Sequence, residues 1–460
     1  MDTIQAATSE PDVNRSAPTK RVAIATLGCK VNSYESELIA ERLVRDGYTR
    51  VDTKQAADLY IINSCTVTAE ADRQSRQFAR KLKRLNPQAK LVMTGCFAQN
   101  NPQECAHMDA VDLVVGNAAK LDIPILINQS VNSPAAETST SEKIILPKFN
   151  ELMSVKEDLL TGFENQSRAF IQIQQGCNQG CTFCIIHTAR GPSQSFATST
   201  VLRQVEKMAS NGYKEVVICG VDLGSYGEDL SPPTTLTTLL RQILALGLDC
   251  RFRVSSIDPI HITDELIELY RTEDKICPHV HLSMQSASSL ILKRMKRRAN
   301  REHIYHVIQR LREARPELVV SADVLVGFPT EEIDHFADTL TAVNDLNIAY
   351  PHVFPYSARD GTPAAKIPRQ VPTDEKKRRA QLVREAGVQR WNELAQQLIG
   401  SQALTIVESI NKQGHFIARR ADYYPIEIHL GAGDSTQIGQ WATVKINQVE
   451  GQRLIGELIA

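Results

Sequence analysis

Three cysteines within eight residues, Cys177, Cys181 and Cys184, carry the strongest chemical signal in this sequence. Their C-x3-C-x2-C spacing gathers three thiols on one short loop, and thiolates are soft ligands that select iron–sulfur clusters or zinc. A four-iron cluster normally takes four cysteine ligands, so three local ligands leave one iron free to bind another molecule. The alternative is a structural zinc knuckle in which His187 supplies the fourth ligand.

A second set of three cysteines follows three predicted strands near the start of the chain. The apolar runs Arg21–Leu27, Asp58–Ser64 and Lys90–Thr94 predict these strands, and the sequence between them predicts the helices Glu35–Asp46 and Ala69–Leu85. The three cysteines, each within two residues of a strand's carboxyl end, are Cys29, Cys65 and Cys96. Ligand sites of open parallel sheets lie outside the carboxyl ends of the strands, so a second three-cysteine metal site is expected there.

Ordinary buried thiols are the alternative for this second group, because free cysteine is among the most buried residue types. Three thiols at the same topological position favour the metal site. The other four cysteines, which lack such placement, are interpreted as structural: Cys105, Cys219, Cys250 and Cys277.

Composition places the protein among ordinary globular chains. With 460 residues, two to four domains are expected at about 150 residues each. The net charge of -1 gives no global sign of nucleic-acid binding, so that function would need local basic patches. No apolar run approaches the roughly 18 residues of a membrane span, and the first twenty residues lack the apolar core of a signal peptide. A cytoplasmic protein without membrane contact is expected, in a reducing compartment where cysteines favour metal binding.

Five segments are expected from the pattern of elements. Residues 1–20 are polar and predict a disordered tail, and residues 21–127 alternate strand and helix as in an open parallel α/β sheet domain. Residues 128–166 have the composition of a linker. Residues 167–395 contain six strand–helix repeats, which suit an incomplete (β/α)6 barrel with its chemistry at the carboxyl face. Residues 401–460 contain short, regularly spaced strands that predict a small β-barrel.

Several residues at the ends of the predicted barrel strands are expected to line the cavity beside the cysteine loop. Each one alone is typical of a cap or turn, and the positions carry weight only as a set. They are Asp222, Ser255, Gln285, Gly327 and Pro329.

Two segments have the composition of an RNA surface. In the predicted C-terminal barrel, Arg419, Arg420 and Tyr423 interleave cations with an aromatic ring, as base stacking beside phosphate contacts requires. The run Lys293–Arg301 has six cationic residues in nine and no acid, which predicts phosphate contacts, although a solvated surface has the same composition. Its candidate residues are Lys293, Arg294, Lys296, Arg297 and Arg298.

Read in order, the motifs resemble those of the radical S-adenosylmethionine (SAM) methylthiotransferases. They include TLGCKVNSYES, INSCTVTAEADRQSR, MTGCFAQ, GCNQGCTFCIIHTARG, GVDLGSYG, HLSMQSAS and DVLVGFPTE. The resemblance covers nearly the whole chain from Arg21, and the segments CKVN and FPYSARDGTPAA are most similar to the branch that acts on N6-threonylcarbamoyladenosine in tRNA. It also implies that the C-terminal barrel is a TRAM-like RNA-binding domain.

The resemblance implies two [4Fe-4S] clusters, one on each set of three cysteines, with SAM bound at the open iron of the Cys177–Cys184 loop. It implies SAM contacts from Phe183, Gly220 and the strand-end residues named above. SAM cleavage there would give a 5′-deoxyadenosyl radical that abstracts hydrogen from C2 of the modified adenosine at tRNA position 37. The other cluster would hold the methylated sulfur for transfer.

The implied partners are tRNA, an electron donor such as flavodoxin or ferredoxin, and a sulfur source. Two alternatives remain at this point: methylthiolation of a ribosomal-protein aspartate, and a non-catalytic cluster-bearing RNA sensor. Two positions depart from the usual family pattern, because His187 stands where Pro is usual and Asp222 stands where His is common.

Overall fold

The protein is described here from a computed structural model. It describes residues 19–131, 143–149, 159–164, 166–430 and 435–459. The predicted disordered tail therefore falls almost wholly outside the described residues, as does much of the predicted linker. No helix among the described residues is both long and apolar enough to cross a membrane.

The first unit is a six-stranded parallel sheet with helices packed on its faces. Its strands are β1 (Arg21–Thr26), β2 (Thr49–Arg50), β3 (Leu59–Ser64), β4 (Lys90–Gly95), β5 (Leu113–Val115) and β6 (Ile144–Ile145), in the order β2-β1-β3-β4-β5-β6. Its helices are α1 (Lys30–Arg45), α2 (Ala69–Leu85), α3 (Cys96–Asn100), α4 (Pro102–Ala106) and α5 (Ile123–Val131). Every residue of β3 is buried, as expected for the centre of a parallel sheet. Strand β6 extends this sheet beyond the predicted domain boundary at residue 127.

The central unit is a barrel of parallel strands that is open on one side. Its strands are β7 (Ala169–Gln172), β8 (Gln174–Gln175), β9 (Gln194–Ser195), β10 (Glu215–Cys219), β11 (Arg251–Val254), β12 (Ser256–Ile257), β13 (His279–Gln285), β14 (Val319–Val326) and β15 (Ile348–Pro355). The order is β7-β10-β11 and then β12-β13-β14-β15, and β8 pairs with β9 in a separate ribbon. No ladder between described residues joins β15 to β7, so the predicted incomplete barrel is confirmed.

Helices alternate with these strands and cover the outside of the barrel. They are α6 (Ile186–Arg190), α7 (Thr198–Ser210), α8 (Leu236–Ala245), α9 (Asp264–Thr272), α10 (Ser289–Arg294), α11 (Arg301–Ala314), α12 (Ile333–Asp345) and α13 (Thr373–Gln396). Helix α1 of the first unit packs against β7. Its residues Val31, Tyr34 and Leu38 belong to the apolar core of the barrel, which joins the two units.

The C-terminal unit is a closed five-stranded barrel, as predicted. Its strands are β16 (Gln402–Ile410), β17 (Phe416–Arg420), β18 (Pro425–His429), β19 (Trp441–Glu450) and β20 (Arg453–Leu458), in the order β16-β17-β18-β20-β19. Trp391 of α13 is fully buried in the core of this barrel. The indole of Trp391 donates a hydrogen bond of 2.6 Å to the hydroxyl of Tyr350, which ties the C-terminal barrel to strand β15.

The C-terminal barrel closes the amino-terminal end of the central barrel. The ring of Tyr423 stacks on His279, the first residue of β13, with 4.6 Å between centroids. The Arg253 guanidinium lies 5.1 Å from the Tyr423 ring and pairs with the buried Glu215 at 2.7 Å. Burial raises the pKa of Glu215, but Arg253, Arg251 and a third arginine outweigh burial and hold it well below its usual range.

Candidate metal centres

The first cysteine set (Cys29, Cys65 and Cys96) lies along one edge of the N-terminal sheet. Cys29 precedes α1, Cys65 follows β3, and Cys96 begins α3 directly after β4. Burial chiefly raises the pKa of Cys65 to about 11, and the thiols of Cys96 and Cys29 add to that rise. The three thiols are therefore electrostatic neighbours, and the structure brings them together as the strand-end argument predicts.

One side chain and one glycine turn hold the loops of the first set in place. Asn32 donates to the Leu27 carbonyl at 2.6 Å and to the Ser64 carbonyl at 3.1 Å, which joins the loop of Cys29 to the loop of Cys65. Gly95, just before Cys96, has φ +92°, and a Cβ there would lie 2.3 Å from the Ser64 carbonyl oxygen. Only glycine fits this left-handed, crowded position.

The second cysteine set (Cys177, Cys181 and Cys184) lies on the loop between β8 and α6. The amide of Gln179 donates to the Cys177 sulfur at 3.4 Å, and the amide of Ile186 donates to the Cys184 sulfur at 3.4 Å. The guanidinium of Arg297 lies 3.9 Å from the Cys181 sulfur. These donors surround the thiols with groups that stabilise thiolate charge.

The two cysteine sets face one another across the contact between α3 and α6. The amide of Asn117 lies 3.9 Å from the Cys96 sulfur and donates to the Ala189 carbonyl at 2.6 Å, so one side chain bridges the two loops. Burial chiefly raises the pKa of Cys184 to about 11, and the thiols of Cys181 and Cys96 add to the rise. A thiol of one set therefore acts on a thiol of the other.

A buried trio of charges (Glu35, Lys120 and Arg190) lies behind this contact. Arg190 donates to Glu35 at 2.8 and 3.1 Å, and Lys120 donates to the same carboxylate at 2.6 Å. Burial raises the pKa of Glu35, but Arg190 and Lys120 outweigh burial and lower it to about 2. The trio keeps one net positive charge close to Cys29 and Cys96, since both thiols help to raise the pKa of Arg190 against its burial.

The spacing of the thiols tests which metal group they fit. Thiolates on one zinc ion lie about 3.8 Å apart, given zinc–sulfur bonds of about 2.3 Å in a tetrahedron. Among the described residues, three ligand atoms lie within 4.8 Å of one another only at His281–Asp323–His352 and at His415–Glu427–His429. Neither cysteine set is that close, and three soft thiolates at each site are the donor set that iron–sulfur clusters select. The net positive trio also suits such an anionic cluster.

We expect His187→Ala to keep the metal content of the protein. The His187 side chain is exposed, and its ring contacts Thr188 at 3.2 Å instead of a thiol. Iron and zinc per chain, measured after anaerobic purification, check this prediction. Zinc in the wild-type protein that disappears in His187→Ala would restore the zinc-knuckle interpretation.

The predicted cofactor-binding residues lie at the carboxyl ends of the barrel strands. These residues are Gly220, Asp222, Ser255, Gln285, Gly327 and Pro329. Asp222 lies nearest the cysteine loop, because its carboxylate accepts from Gln179 at 3.1 Å and lies 3.7 Å from the Cys177 sulfur. Phe183 instead packs beside a small apolar cluster that includes Met295 and Phe328. The assignment of these residues to a cofactor stays a prediction.

Two family comparisons cover much of the chain. Residues 21–116 match the uncharacterized protein family UPF0004, and residues 171–343 match the radical SAM superfamily. The chain is 41% identical to the threonylcarbamoyladenosine tRNA methylthiotransferase MtaB of Rickettsia prowazekii over 89% of this chain and 91% of that protein. The chain belongs to the radical SAM methylthiotransferases. As a member of that family, it uses SAM and [4Fe-4S] clusters as cofactors.

Other relatives and solved structures agree with this family. The methylthiotransferase is 36% identical to MtaB of Bacillus subtilis, covering 92% of this chain and 93% of that protein. It is 31% identical to a tRNA-2-methylthio-N(6)-dimethylallyladenosine synthase of Clostridium novyi, covering 96% and 97%. The radical SAM methyltransferase TsrM of Kitasatospora setae, solved with cobalamin and a [4Fe-4S] cluster bound, has a TM-score of 0.57 at 14% identity. That match covers 75% of this chain and 77% of TsrM, and it concerns the fold.

The predicted RNA-binding residues of the C-terminal barrel already contact other residues of the protein. Arg419 pairs with Glu408 at 2.8 Å, Arg420 pairs with Asp422 at 2.8 Å, and Tyr423 stacks on His279. The alternation of basic and aromatic residues is here an interface between two barrels. We therefore remove these three residues from the candidate RNA surface.

The basic run beside α10 divides into inward and outward side chains. Arg297 points inward, where it pairs with Asp258 at 3.0 Å and approaches Cys181, and Arg294 donates to the Thr330 hydroxyl at 2.7 Å. Lys293, Lys296 and Arg298 are exposed. Only these three keep the character of a phosphate-binding surface.

The buried trio and the inward role of Arg297 did not follow from the sequence, which predicted Arg297 as an RNA contact. Glu35 and Arg190 are 155 residues apart, so no local spacing links them. One signal was available: Arg190 ends the cysteine motif itself, and Glu35 follows Cys29 by less than two helical turns.

Proposed function

We propose that this methylthiotransferase adds a methylthio group to C2 of N6-threonylcarbamoyladenosine at position 37 of tRNA. The observation that carries the proposal is the juxtaposition of two three-cysteine sets across α3 and α6, with Asn117 contacting both loops. The relatives with 41% and 36% identity are both named for threonylcarbamoyladenosine. Their names favour tRNA over a ribosomal-protein aspartate and over a non-catalytic sensor.

We assign one cluster to each set of cysteines. Bound SAM and clusters supply the radical chemistry that an unactivated aromatic C–H bond requires. The protein orients these groups: Asp222 and Gln179 fix the loop of Cys177, and Arg297 neutralises charge at Cys181. Phe183, Gly220, Ser255, Gln285, Gly327 and Pro329 are proposed to contact SAM.

Contacts between the first unit and the end of the barrel hold the loop after Cys65 in place. Arg359, after β15, pairs with Asp72 and donates to the Thr66 hydroxyl at 3.1 Å. The amide of Ala69 also donates to the Ser357 hydroxyl at 3.2 Å. These bonds hold the loop after Cys65 against the barrel, which keeps the first cysteine set facing the second.

The tRNA is proposed to approach over the exposed cations Lys293, Lys296 and Arg298. The Lys296 ammonium lies 3.5 Å from the position of a Cβ on Gly180, which is within the loop of the second cysteine set. Phosphates bound there would place an unpaired anticodon-loop base beside that loop, where it can be splayed out and stacked. A TRAM-like role of the C-terminal barrel would then use surfaces other than Tyr423.

The remaining partners follow from the chemistry. Cleavage of SAM needs one electron, so a flavodoxin or ferredoxin is proposed as donor, and the transferred sulfur requires a separate sulfur source. Since tRNA is the substrate, we place the reaction in the cytoplasm.

Nucleoside mass spectrometry tests the proposed substrate. The reconstituted enzyme, with SAM and dithionite, should convert N6-threonylcarbamoyladenosine in an anticodon stem-loop to its 2-methylthio derivative. An unmodified stem-loop and one that carries N6-dimethylallyladenosine are the controls. Product from the dimethylallyl stem-loop alone, or 5′-deoxyadenosine without any methylthio product, would contradict the proposal.

A further inference from the structure

Polar side chains from three adjacent strands converge inside the central barrel. His281 on β13, Asp323 on β14 and His352 on β15 place three ligand atoms within 4.8 Å of one another. His281 lies 3.1 Å from the Asp323 carboxylate through Nε2, and its Nδ1 lies 2.8 Å from the Ser321 hydroxyl. We call His281, Asp323 and His352 the lumen group. On each strand, alternate residues point to the same face, and these three residues all point to the inner face of the barrel.

The lumen group lies on barrel strands whose amino-terminal end is closed by the C-terminal barrel and whose carboxyl ends face the cysteine loop. Tyr423 and His279 close the amino-terminal end of the barrel. Gln285, at the other end of β13, lies at the carboxyl face together with the cluster loop. A substituent that enters from the carboxyl face would approach the lumen group along β13, β14 and β15. Neither cysteine set uses these three side chains.

Lys30 of the N-terminal sheet domain lies at the contact between that domain and the barrel, because it begins α1 beside Val31, a residue of the barrel core. Its side chain is exposed and has no hydrogen bond or ion pair with another described residue. Burial raises the pKa of Asp323, but the hydrogen bond from His281 and the charges of His281, His352 and Lys30 outweigh it and lower the pKa. Lys30 therefore places a cation at the domain contact, beside the barrel that holds the lumen group.

We propose that Lys30 and the lumen group bind the polar substituent of the modified base, an amino-acid-like chain with a carboxylate, a hydroxyl and ureido N–H groups. The inference rests on the proposed function and names the residues that recognise its substrate. Lys30 and His352 face the carboxylate, and the Asp323 carboxylate accepts from the ureido N–H groups. An apolar substituent would leave Lys30, His352 and the Asp323 carboxylate without these partners, which disfavours it.

Two histidines and a carboxylate could instead bind a metal ion. The contacts of His281 argue against a metal ion here. Both nitrogens of His281 already have partners in Asp323 and Ser321, and the Lys30 charge would repel a cation. A metal ion is therefore kept as an outcome of the test.

The test compares two anticodon stem-loops, one with N6-threonylcarbamoyladenosine and one with its methyl ester, which removes the carboxylate charge. We expect the wild-type enzyme to prefer the acid by about tenfold or more in kcat/KM. Lys30→Met should lower kcat/KM for the acid by about tenfold to hundredfold and leave the ester unchanged. His352→Gln should shift the preference in the same direction. Lys54→Met, an exposed lysine between β2 and β3 at the opposite edge of the sheet, is the matched control.

Iron per chain and 5′-deoxyadenosine formed without tRNA show that each variant keeps its clusters. An undiminished acid preference in Lys30→Met overturns the inference, as does a metal ion beyond the cluster iron that His352→Gln removes. A wild-type enzyme that cleaves SAM but modifies neither stem-loop would instead contradict the proposed function.

Discussion

Replacing Cys177, Cys181 and Cys184 together with Ala is expected to abolish 5′-deoxyadenosine formation and to remove half of the iron. The reason is that this set holds the proposed cluster with the open iron, and two four-iron clusters give about eight irons per chain. The same change in the first set, Cys29, Cys65 and Cys96, should also halve the iron but leave SAM cleavage without substrate intact. Transfer of the methylthio group should be lost in both triple variants.

Iron analysis and 5′-deoxyadenosine quantitation, done anaerobically on both triple variants, separate the roles of the two sets. Cys105→Ala is the matched control, because Cys105 is a fully buried thiol of the N-terminal sheet whose pKa is raised by burial to about 12. It should keep all the iron. Full iron content after the triple change in the first set would show that these cysteines hold no cluster.

The helices and strands, and the loops that carry the cysteines, could be predicted from local sequence. The predicted helix Ala69–Leu85 agrees with α2 in both bounds, because Thr68 caps it by accepting from the Ala71 amide. Helix α1 begins at Lys30, five residues before the predicted start at Glu35. The first turn of α1 lacks the apolar residues at helical spacing that would have predicted it. Asn32 and Glu35 are polar because they contact buried polar partners.

The roles of charged residues did not follow from sequence. A run such as Lys293–Arg301 has one composition whether its side chains point to solvent or to a carboxylate. Arg297 pairs with Asp258, 39 residues earlier in the chain, and Arg294 bonds with Thr330. Such pairs form only after distant strands meet, so a linear charge pattern could predict a basic surface but could not separate Lys296 from Arg297.

Glu35→Gln is expected to lower the stability of the protein by about 3–5 kcal/mol, the usual cost of breaking a buried ion pair from one side. The change removes the carboxylate that balances the buried charges of Arg190 and Lys120. Cys29 and Cys96 are close to Arg190 and offset only part of that loss. The loss should be the same between about pH 6 and pH 8. The pKa of Glu35 is lowered to about 2, so its contribution is fully present above about pH 4.5 and is lost only in stronger acid.

The thermal midpoint of the cluster-loaded protein, measured anaerobically, checks this expectation. Glu70→Gln breaks the exposed Glu70–Arg73 pair, both of whose side chains are more than half exposed, and serves as the control. That change should have little effect on the midpoint, because solvent screens an exposed ion pair. Equal midpoints for Glu35→Gln and Glu70→Gln would show that the buried trio does not stabilise the contact between the two units.

Adding Lys120→Met to Glu35→Gln should recover part of the lost stability. The double change removes one positive and one negative charge, which returns the net charge of the trio to its original value beside Cys29 and Cys96. Residues that share one buried network are expected to show such non-additivity. If the two losses simply add, Lys120 and Glu35 act independently, and the trio is then not the counter-charge of the first cysteine set.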